Sequence, residues 1–210
     1  RGGGGRVRCG GGRPSATASH GVPRCSAGPT ALPARRFIAG ALKGRRLAAP
    51  SPGDHRVRPT SDRAREALFS ILQRWPSGPF LDLCSGTGAV GLEAHSRGYG
   101  PVTCVEAAEP GWSCLAVNAK GTGINAMRMD LRRLPEDAFR NQAVVFLDPP
   151  YDLAEFLWGR MAARLRAWTA EGGVLVFETD RHTGLELQDR WVLAETREYG
   201  AARFHFWTPA

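Results

Sequence analysis

The chain has 210 residues, with 28 Lys+Arg against 20 Asp+Glu and a net charge of +8. That length suits one substantial domain, and no apolar stretch approaches the roughly 18 residues of a membrane-spanning helix, so a soluble protein is expected. Residues 1–53 hold ten of the bases and none of the acids, so the remainder is nearly neutral, which excludes a uniformly basic nucleic-acid-coating body.

Cys9, Cys25, Cys84, Cys104 and Cys114 show no CxxC spacing and no adjoining His cluster. Neither a zinc site nor a disulfide framework is expected, and a reducing compartment fits best. Residues 1–36 are rich in Gly, Arg, Ser, Ala and Pro with few large apolar side chains, a composition that cannot offset ordering entropy and predicts a disordered leader. Three readings of it stay open: a mitochondrial or plastid transit peptide, an RNA-binding Arg/Gly tail, or a non-native extension. Cytoplasmic location is expected, with plastid or mitochondrion as the alternative if the leader is an address.

Residues 37–57 alternate short apolar pairs with glycine and bases, and predict a small hairpin with a basic face. Then comes Arg58-Pro59-Thr60-Ser61-Asp62-Arg63-Ala64-Arg65-Glu66, where Thr60, Ser61 or Asp62 can cap a helix. Ala64, Ala67, Leu68, Ile71, Leu72 and Trp75 recur at helical spacing on one face. Arg63 and Arg65 read as phosphate contacts or as solvated charges on the open face, and the second reading is favoured.

Residues 80–93 read as an apolar strand, a glycine turn and a helix start: Phe80-Leu81-Asp82-Leu83-Cys84-Ser85-Gly86-Thr87-Gly88-Ala89-Val90-Gly91-Leu92-Glu93. Glu106 follows at the end of a second strand, Val102 to Val105, and can accept hydrogen bonds from both hydroxyls of a ribose. This is the first half of a doubly wound nucleotide-binding sheet. Gly86, Gly88 and Gly91 satisfy G-x-G-x-x-G, so a dehydrogenase is a rival. Asp82 argues against it, because a carboxylate beside that helix terminus repels a pyrophosphate and favours a cationic ligand such as S-adenosylmethionine. Gly111 to Lys120 predicts a helix burying Trp112, Leu115, Ala116 and Ala119. A weaker strand, residues 124–130, ends in Met129, which can line a pocket, and Asp130. Asp130 reads as an adenine ligand or as an exposed N-cap.

Val144-Val145-Phe146-Leu147-Asp148-Pro149-Pro150-Tyr151 is a buried strand stopped by a rigid turn. The two prolines give up their N–H groups, so their carbonyls and the Asp148 carboxylate form an acceptor-only surface. Such a surface suits an exocyclic amino group, and Tyr151 offers a face on which a base can stack. A helix over residues 153–165 presents Leu153, Phe156, Leu157, Met161 and Leu165 on one face, and Val174 to Glu178 is a further buried strand. Residues 190–198 and 203–207 are strand-like and joined by only Tyr199 to Ala202, which requires an antiparallel pair. A mostly parallel seven-stranded sheet ending in a hairpin departs from the all-parallel dinucleotide fold.

Together, Asp82 to Gly88, Glu106 and Asp148 to Tyr151 resemble class I S-adenosylmethionine-dependent methyltransferases that modify amino groups. The segments Phe37 to Leu47, Arg58 to Phe69, Gly86 to Ala94 and Tyr199-Gly200 narrow the resemblance to the RsmD family, from about Phe37 to Trp207. The resemblance implies an α/β Rossmann-like fold with helices on both faces, occupying residues 58–210 after the hairpin extension. It implies methyl transfer from S-adenosylmethionine to N2 of a guanine in 16S ribosomal RNA. It implies Ser85, Gly86, Thr87 and Gly88 as the methionine-end loop, Glu106 as ribose ligand, Asp130 as adenine ligand, and Asp148, Pro149, Pro150 and Tyr151 as the acceptor site. Arg58 and Arg63 would touch RNA or order the cofactor pocket. Asp152 and Glu155 make the following loop acidic, so Lys43, Arg45 and Arg46 are the other candidate RNA contacts. A monomer without metal or membrane is expected, with small-subunit RNA or its assembling particle as partner. Adenine N6, a protein glutamine, and a non-catalytic RNA-binding or assembly protein of the same fold are the alternatives.

Overall fold

The computed structural model describes residues 36–51 and 60–210, so the expected leader (apart from Arg36), the end of the expected hairpin and Arg58 lie outside the described residues. Seven strands form one sheet in the order β3-β2-β1-β4-β5-β7-β6. They are β1 (Phe80–Leu83), β2 (Val102–Glu106), β3 (Asn125–Arg128), β4 (Gln142–Leu147), β5 (Thr169–Asp180), β6 (Trp191–Tyr199) and β7 (Ala202–Pro209). The first five run parallel, and β7 is antiparallel to both β5 and β6. Tyr199 pairs with Ala202, and Gly200 at φ +66 supplies the left-handed residue of the tight turn between them.

β1 and β4 are buried along nearly their whole length, Asp82 included, because both faces of the sheet are covered. Phe80, Cys104, Val144, Phe146, Val176 and Phe206 face one core with α1 (Asp62–Leu72), α2 (Ala89–Ser96) and α3 (Gly111–Ala119). Leu81, Leu83, Val145, Leu147, Phe177 and Trp207 face the other, against α4 (Ala154–Trp168). Along α4 the buried positions are Ala154, Leu157, Trp158, Met161, Ala162, Leu165 and Trp168, the stripe of an amphipathic helix. The expected face was displaced: Leu153 and Phe156 are 38% and 55% exposed. Ala116 is likewise exposed, and Cys114 and Asn118 take its place in the core side of α3.

Ser61 is the N-cap of α1, its side chain accepting from Ala64 N–H at 3.1 Å. Arg65 corrects the expectation of an open-face charge: its side chain is fully buried, and Nη2 donates to the Arg36 carbonyl (2.8 Å) and to Asp62 (3.1 Å). The residues after Arg36 make one antiparallel bridge, Arg36 to Arg46, around a tight turn, which is the described part of the expected small hairpin. This arm lies over α2, burying Phe37 and Leu47 with Ala89 and Leu92, so α2 is covered on both sides. Covering it takes the arm's backbone donors out of water, and Glu93 meets them. Its two oxygens accept from Ile38 N–H (2.8 Å) and Ala39 N–H (3.0 Å), with Arg97 Nε at 2.8 Å and Arg65 Nε at 3.8 Å. Glu93→Ala strands both amides and takes a carboxylate from beside the buried Arg65, and is expected to cost about 3–5 kcal/mol. Urea denaturation checks this; a midpoint equal to that of the parent protein would contradict the arm's role.

Candidate active site

At the C-terminal ends of β1, β2, β4 and β5 lies a cavity of about 680 Å³, where open α/β sheets present ligand sites. One end is built by the β1–α2 turn. Ser85 N–H donates to the Val105 carbonyl (3.0 Å), and the Ser85 hydroxyl sits between the carbonyls of Asp82 (2.8 Å) and Val105 (3.0 Å), so this side chain locks the turn to the sheet. Gly86 N–H donates to Glu106 Oε2 at 2.7 Å, and Ala108 N–H to Glu106 Oε1 at 2.8 Å, which fixes the carboxylate at the end of β2. Gly88 has φ +78, and a Cβ there would come within 2.5 Å of Leu115 Cδ1. Thr87 is buried and its carbonyl accepts from Asn118 Nδ2 (2.8 Å); the same amide group bonds Ala48 of the arm through both of its ends.

Asp82 sits beneath the turn, 1% exposed, with Oδ2 accepting from Gly91 N–H at 2.8 Å. That donor belongs to the first turn of α2 and has no partner within the helix. The helix can approach this closely because residue 91 lacks a side chain: a Cβ would lie 2.3 Å from Cys104 Sγ and 2.9 Å from Asp82 Oδ2. Burial pushes the Asp82 carboxyl up to about 7, the Gly91 hydrogen bond opposing the shift and the Glu106 charge adding to it. Its Oδ1 is buried without a hydrogen-bond partner among the described residues. The carboxylate is thus part of the cavity wall and held chiefly by the protein, rather than presented openly to a ligand.

Met129, 38% exposed, and Leu131 line a second stretch of the cavity beside Asp130. Asp130 is both a cavity residue and an N-cap: its side chain accepts from Arg132 N–H (2.9 Å) at the start of a short 3-10 turn, Leu131–Arg133. The Arg132 guanidinium, 2.6 Å away through Nη2, holds its carboxyl below the usual range.

Asp148, half-buried, and buried Pro149 line the third stretch with Pro150 and Tyr151. The Pro150 carbonyl accepts from Leu153 N–H (2.9 Å), so the turn after β4 is closed on itself. Leu153, Phe156 and Leu157 of the segment that follows also line the cavity, which accounts for the exposure of the first two. Sequence reasoning placed them in the core. Thr60, read only as a possible cap, Glu178, read only as a strand end, and the residue 199–202 turn, read only as a connection, all line the same space. Glu178 closes an apolar strand as Asp82 nearly does, and that strand-terminal acid was the available signal. Lys43, Arg45, Arg46 and Arg63 are exposed and lie outside the cavity lining. Among the described residues no group of three or more His, Cys, Asp or Glu could hold a metal ion, and no helix is long and apolar enough to cross a membrane.

The Asp82 shift carries a stability signature. Between about pH 4 and 7 the unfolded chain ionises this carboxyl while the folded protein keeps it protonated, so its contribution falls as pH rises across that window and is least favourable above it. Asp82→Asn keeps an oxygen for Gly91 N–H and removes the titration. The unfolding free energies at about pH 4 and pH 8, from urea denaturation, are expected to differ less in the variant than in the parent, by about a few kcal/mol. An unchanged pH dependence would show that Asp82 is already ionised in the fold.

The family model described as "Conserved hypothetical protein 95" matches residues 35–208. The chain is 28% identical over 190 residues to ribosomal RNA small subunit methyltransferase D of Haemophilus influenzae, covering 85% of this chain and 96% of that protein. It is 29% identical over 184 residues to the protein of the same name in Escherichia coli K12, covering 82% and 88%. Among solved structures, a hypothetical protein of Thermus thermophilus superposes with a TM-score of 0.69 at 28% identity, covering 84% of this chain and 99% of that one. The sheet, five parallel strands and a terminal antiparallel hairpin, is the class I methyltransferase fold. A match over nearly the whole described body, on a fold whose strand ends converge on one cavity, places this chain in the conserved hypothetical protein 95 family, that of the RsmD proteins.

Proposed function

We propose that this protein transfers a methyl group from S-adenosylmethionine to the exocyclic N2 of a guanine in small-subunit ribosomal RNA. The observation that carries the reading is the placement of the Asp148-Pro149-Pro150-Tyr151 turn, with its carboxylate and its two prolines, in the same cavity as the glycine turn locked to Glu106. The names of the two bacterial relatives supply the RNA class.

The residues present fit the methyl donor. Glu106, with the buried Asp82 behind it, makes the wall near the glycine turn acidic, which suits a ligand with an ammonium and a sulfonium and opposes a pyrophosphate. Glu106 is held by two backbone amides with its remaining lone pairs available for ribose hydroxyls. Met129, Leu131 and Asp130 offer an apolar slot with a polar end, matching a purine and its amino group. When bound, the donor supplies a methyl group made electrophilic by the positive sulfur.

The protein's own part is alignment. The Asp148 carboxylate and the Pro149 carbonyl accept from the two amino hydrogens of the base, which turns the nitrogen lone pair towards the donor side and gives the released proton an acceptor. Tyr151, half-exposed at the rim, stacks the base after it has left its helix or from an already open loop. Proximity in a water-poor cavity supplies much of the rate. Lys43, Arg45, Arg46 and Arg63, exposed on the arm and at the start of α1, take RNA phosphates.

With tritiated cofactor and small-subunit RNA or particles, Asp148→Ala is expected to lose on the order of 10² to 10³ in labelling rate; labelling at the parent rate would refute the assigned role. A nucleoside digest of the product separates guanine from adenine, and label retained in protein would instead identify a glutamine acceptor. Glu106→Ala is expected to weaken S-adenosylmethionine binding by about 10- to 100-fold in calorimetry. Absence of binding by the parent protein would leave a non-catalytic RNA-binding role.

A further inference from the structure

We propose that Glu178 is the residue that selects guanine, accepting a hydrogen bond from N1–H of the target base beside the amino group held at Asp148, with Thr60 fixing its carboxylate. The inference rests on the reading above, that a base amine is the methyl acceptor, and names how that base is recognised.

The position follows from the strand register. β4 and β5 are parallel neighbours with Leu147 opposite Phe177, so Asp148 and Glu178 come next on adjacent strands, spaced by about 4.8 Å at the backbone. Leu147 and Phe177 point into the α4-side core. The alternation along β5 therefore turns Glu178 to the α1 side, where Thr60, just before α1, meets it: Thr60 Oγ1 donates to Glu178 Oε2 at 3.3 Å. Both side chains line the cavity, and both are buried, at 4% and 8% exposure. A carboxylate whose orientation is set by a neighbouring hydroxyl in a water-poor wall is a pre-organised acceptor.

Guanine presents two adjacent donor groups on its Watson–Crick edge, N1–H and the N2 amino group. Adenine presents an amino group beside an N1 lone pair. Carboxylates at the ends of two adjacent strands match the first pattern and oppose the second, since a lone pair facing a carboxylate oxygen loses a hydrogen bond and gains a repulsion. The residue 199–202 turn, also on the cavity wall, bounds this end of the space. The assignment gives the Arg58-to-Phe69 block a task at the site: its Thr60 orients the selecting group, making it a positioning residue.

The test uses the full chain and small-subunit RNA carrying either guanine or 2-aminopurine at the mapped methylation position. 2-Aminopurine keeps the N2 amino group but has a bare N1. The parent protein is expected to favour guanine by on the order of 10²-fold or more in kcat/KM. Glu178→Gln should lose about 10- to 100-fold on guanine and most of that preference, because its amide can donate to the bare N1, while S-adenosylmethionine affinity stays within about twofold. Thr60→Val should shift the preference the same way by a smaller factor, and Thr60→Ser should restore it. Equal use of the two bases by the parent protein overturns the proposal without any variant, as does an unchanged preference in Glu178→Gln. Cofactor affinity falling in step with activity overturns it too, and assigns Glu178 to the methionine end. If the parent labels no guanine at all, the reading of the function falls and this inference with it. Guanine labelling with an unaltered preference removes only the role of Glu178.

Discussion

The close approach of α2 to β1 and β2 at Gly91 is the constraint from which the ligand end of this molecule is built. With no side chain at that position, Cys104 and Asp82 fill the space, and Asp82 accepts the orphan Gly91 N–H. The approach fixes where α2 begins, hence where the turn from Ser85 to Gly88 lies, hence where Glu106 can reach back to Gly86. The arrangement concentrates acids at one end of the sheet. Asp82 is lifted towards neutrality by burial and by its acidic neighbours, Glu106 and Glu178. A cation entering beside Glu106 relieves its repulsion with Asp82.

The same helix explains why so much chain precedes the nucleotide-binding half. Nearly every residue of α2 is buried, which a helix on a sheet face alone does not require. The arm around Phe37 to Leu47 supplies the second cover, and Glu93, Ser96 and Asn118 hold it by accepting or donating to its backbone. Asn118 bonds the arm and the Thr87 carbonyl with one side chain, so the basic outer segment and the glycine turn share a support. Arg65 ties α1 to the same arm through the Arg36 carbonyl. The basic outer segment is thereby fastened to the glycine turn by side-chain hydrogen bonds rather than by a loose linker.

At the other end of the cavity the chemistry comes from what the backbone lacks. Pro149 and Pro150 have no N–H to offer, so within the Asp148-Pro149-Pro150 stretch of the cavity wall only Asp148 keeps a backbone donor, and that one is bonded to the Leu83 carbonyl. The register between β4 and β5 then sets Glu178 beside Asp148. A site whose acceptors come from adjacent strands is stiffer than one built on loops, and alignment of a weak nucleophile depends on that stiffness.

The sequence by itself determined the local elements and the ends of the strands. Apolar runs marked β1, β2 and β4, helical periodicity marked α1, the short 199–202 connection marked the antiparallel hairpin, and Asp82, Glu106 and Asp148 stood out as acids closing or following apolar runs. These signals are local, because period and punctuation act over a few residues. Tertiary structure alone decided what each polar group meets. Arg65 lies on a helix that reads as amphipathic, yet the arm covers it and makes it a buried tie. Leu153 and Phe156 read as core and instead line the cavity, since α4 is rotated to bury Trp158 and Ala162. Thr60 and Glu178 stand 118 residues apart, and only the packing of α1 against the end of β5 brings them together. Contacts across such separations depend on how layers stack and strands register, and no window of a single sequence contains that information.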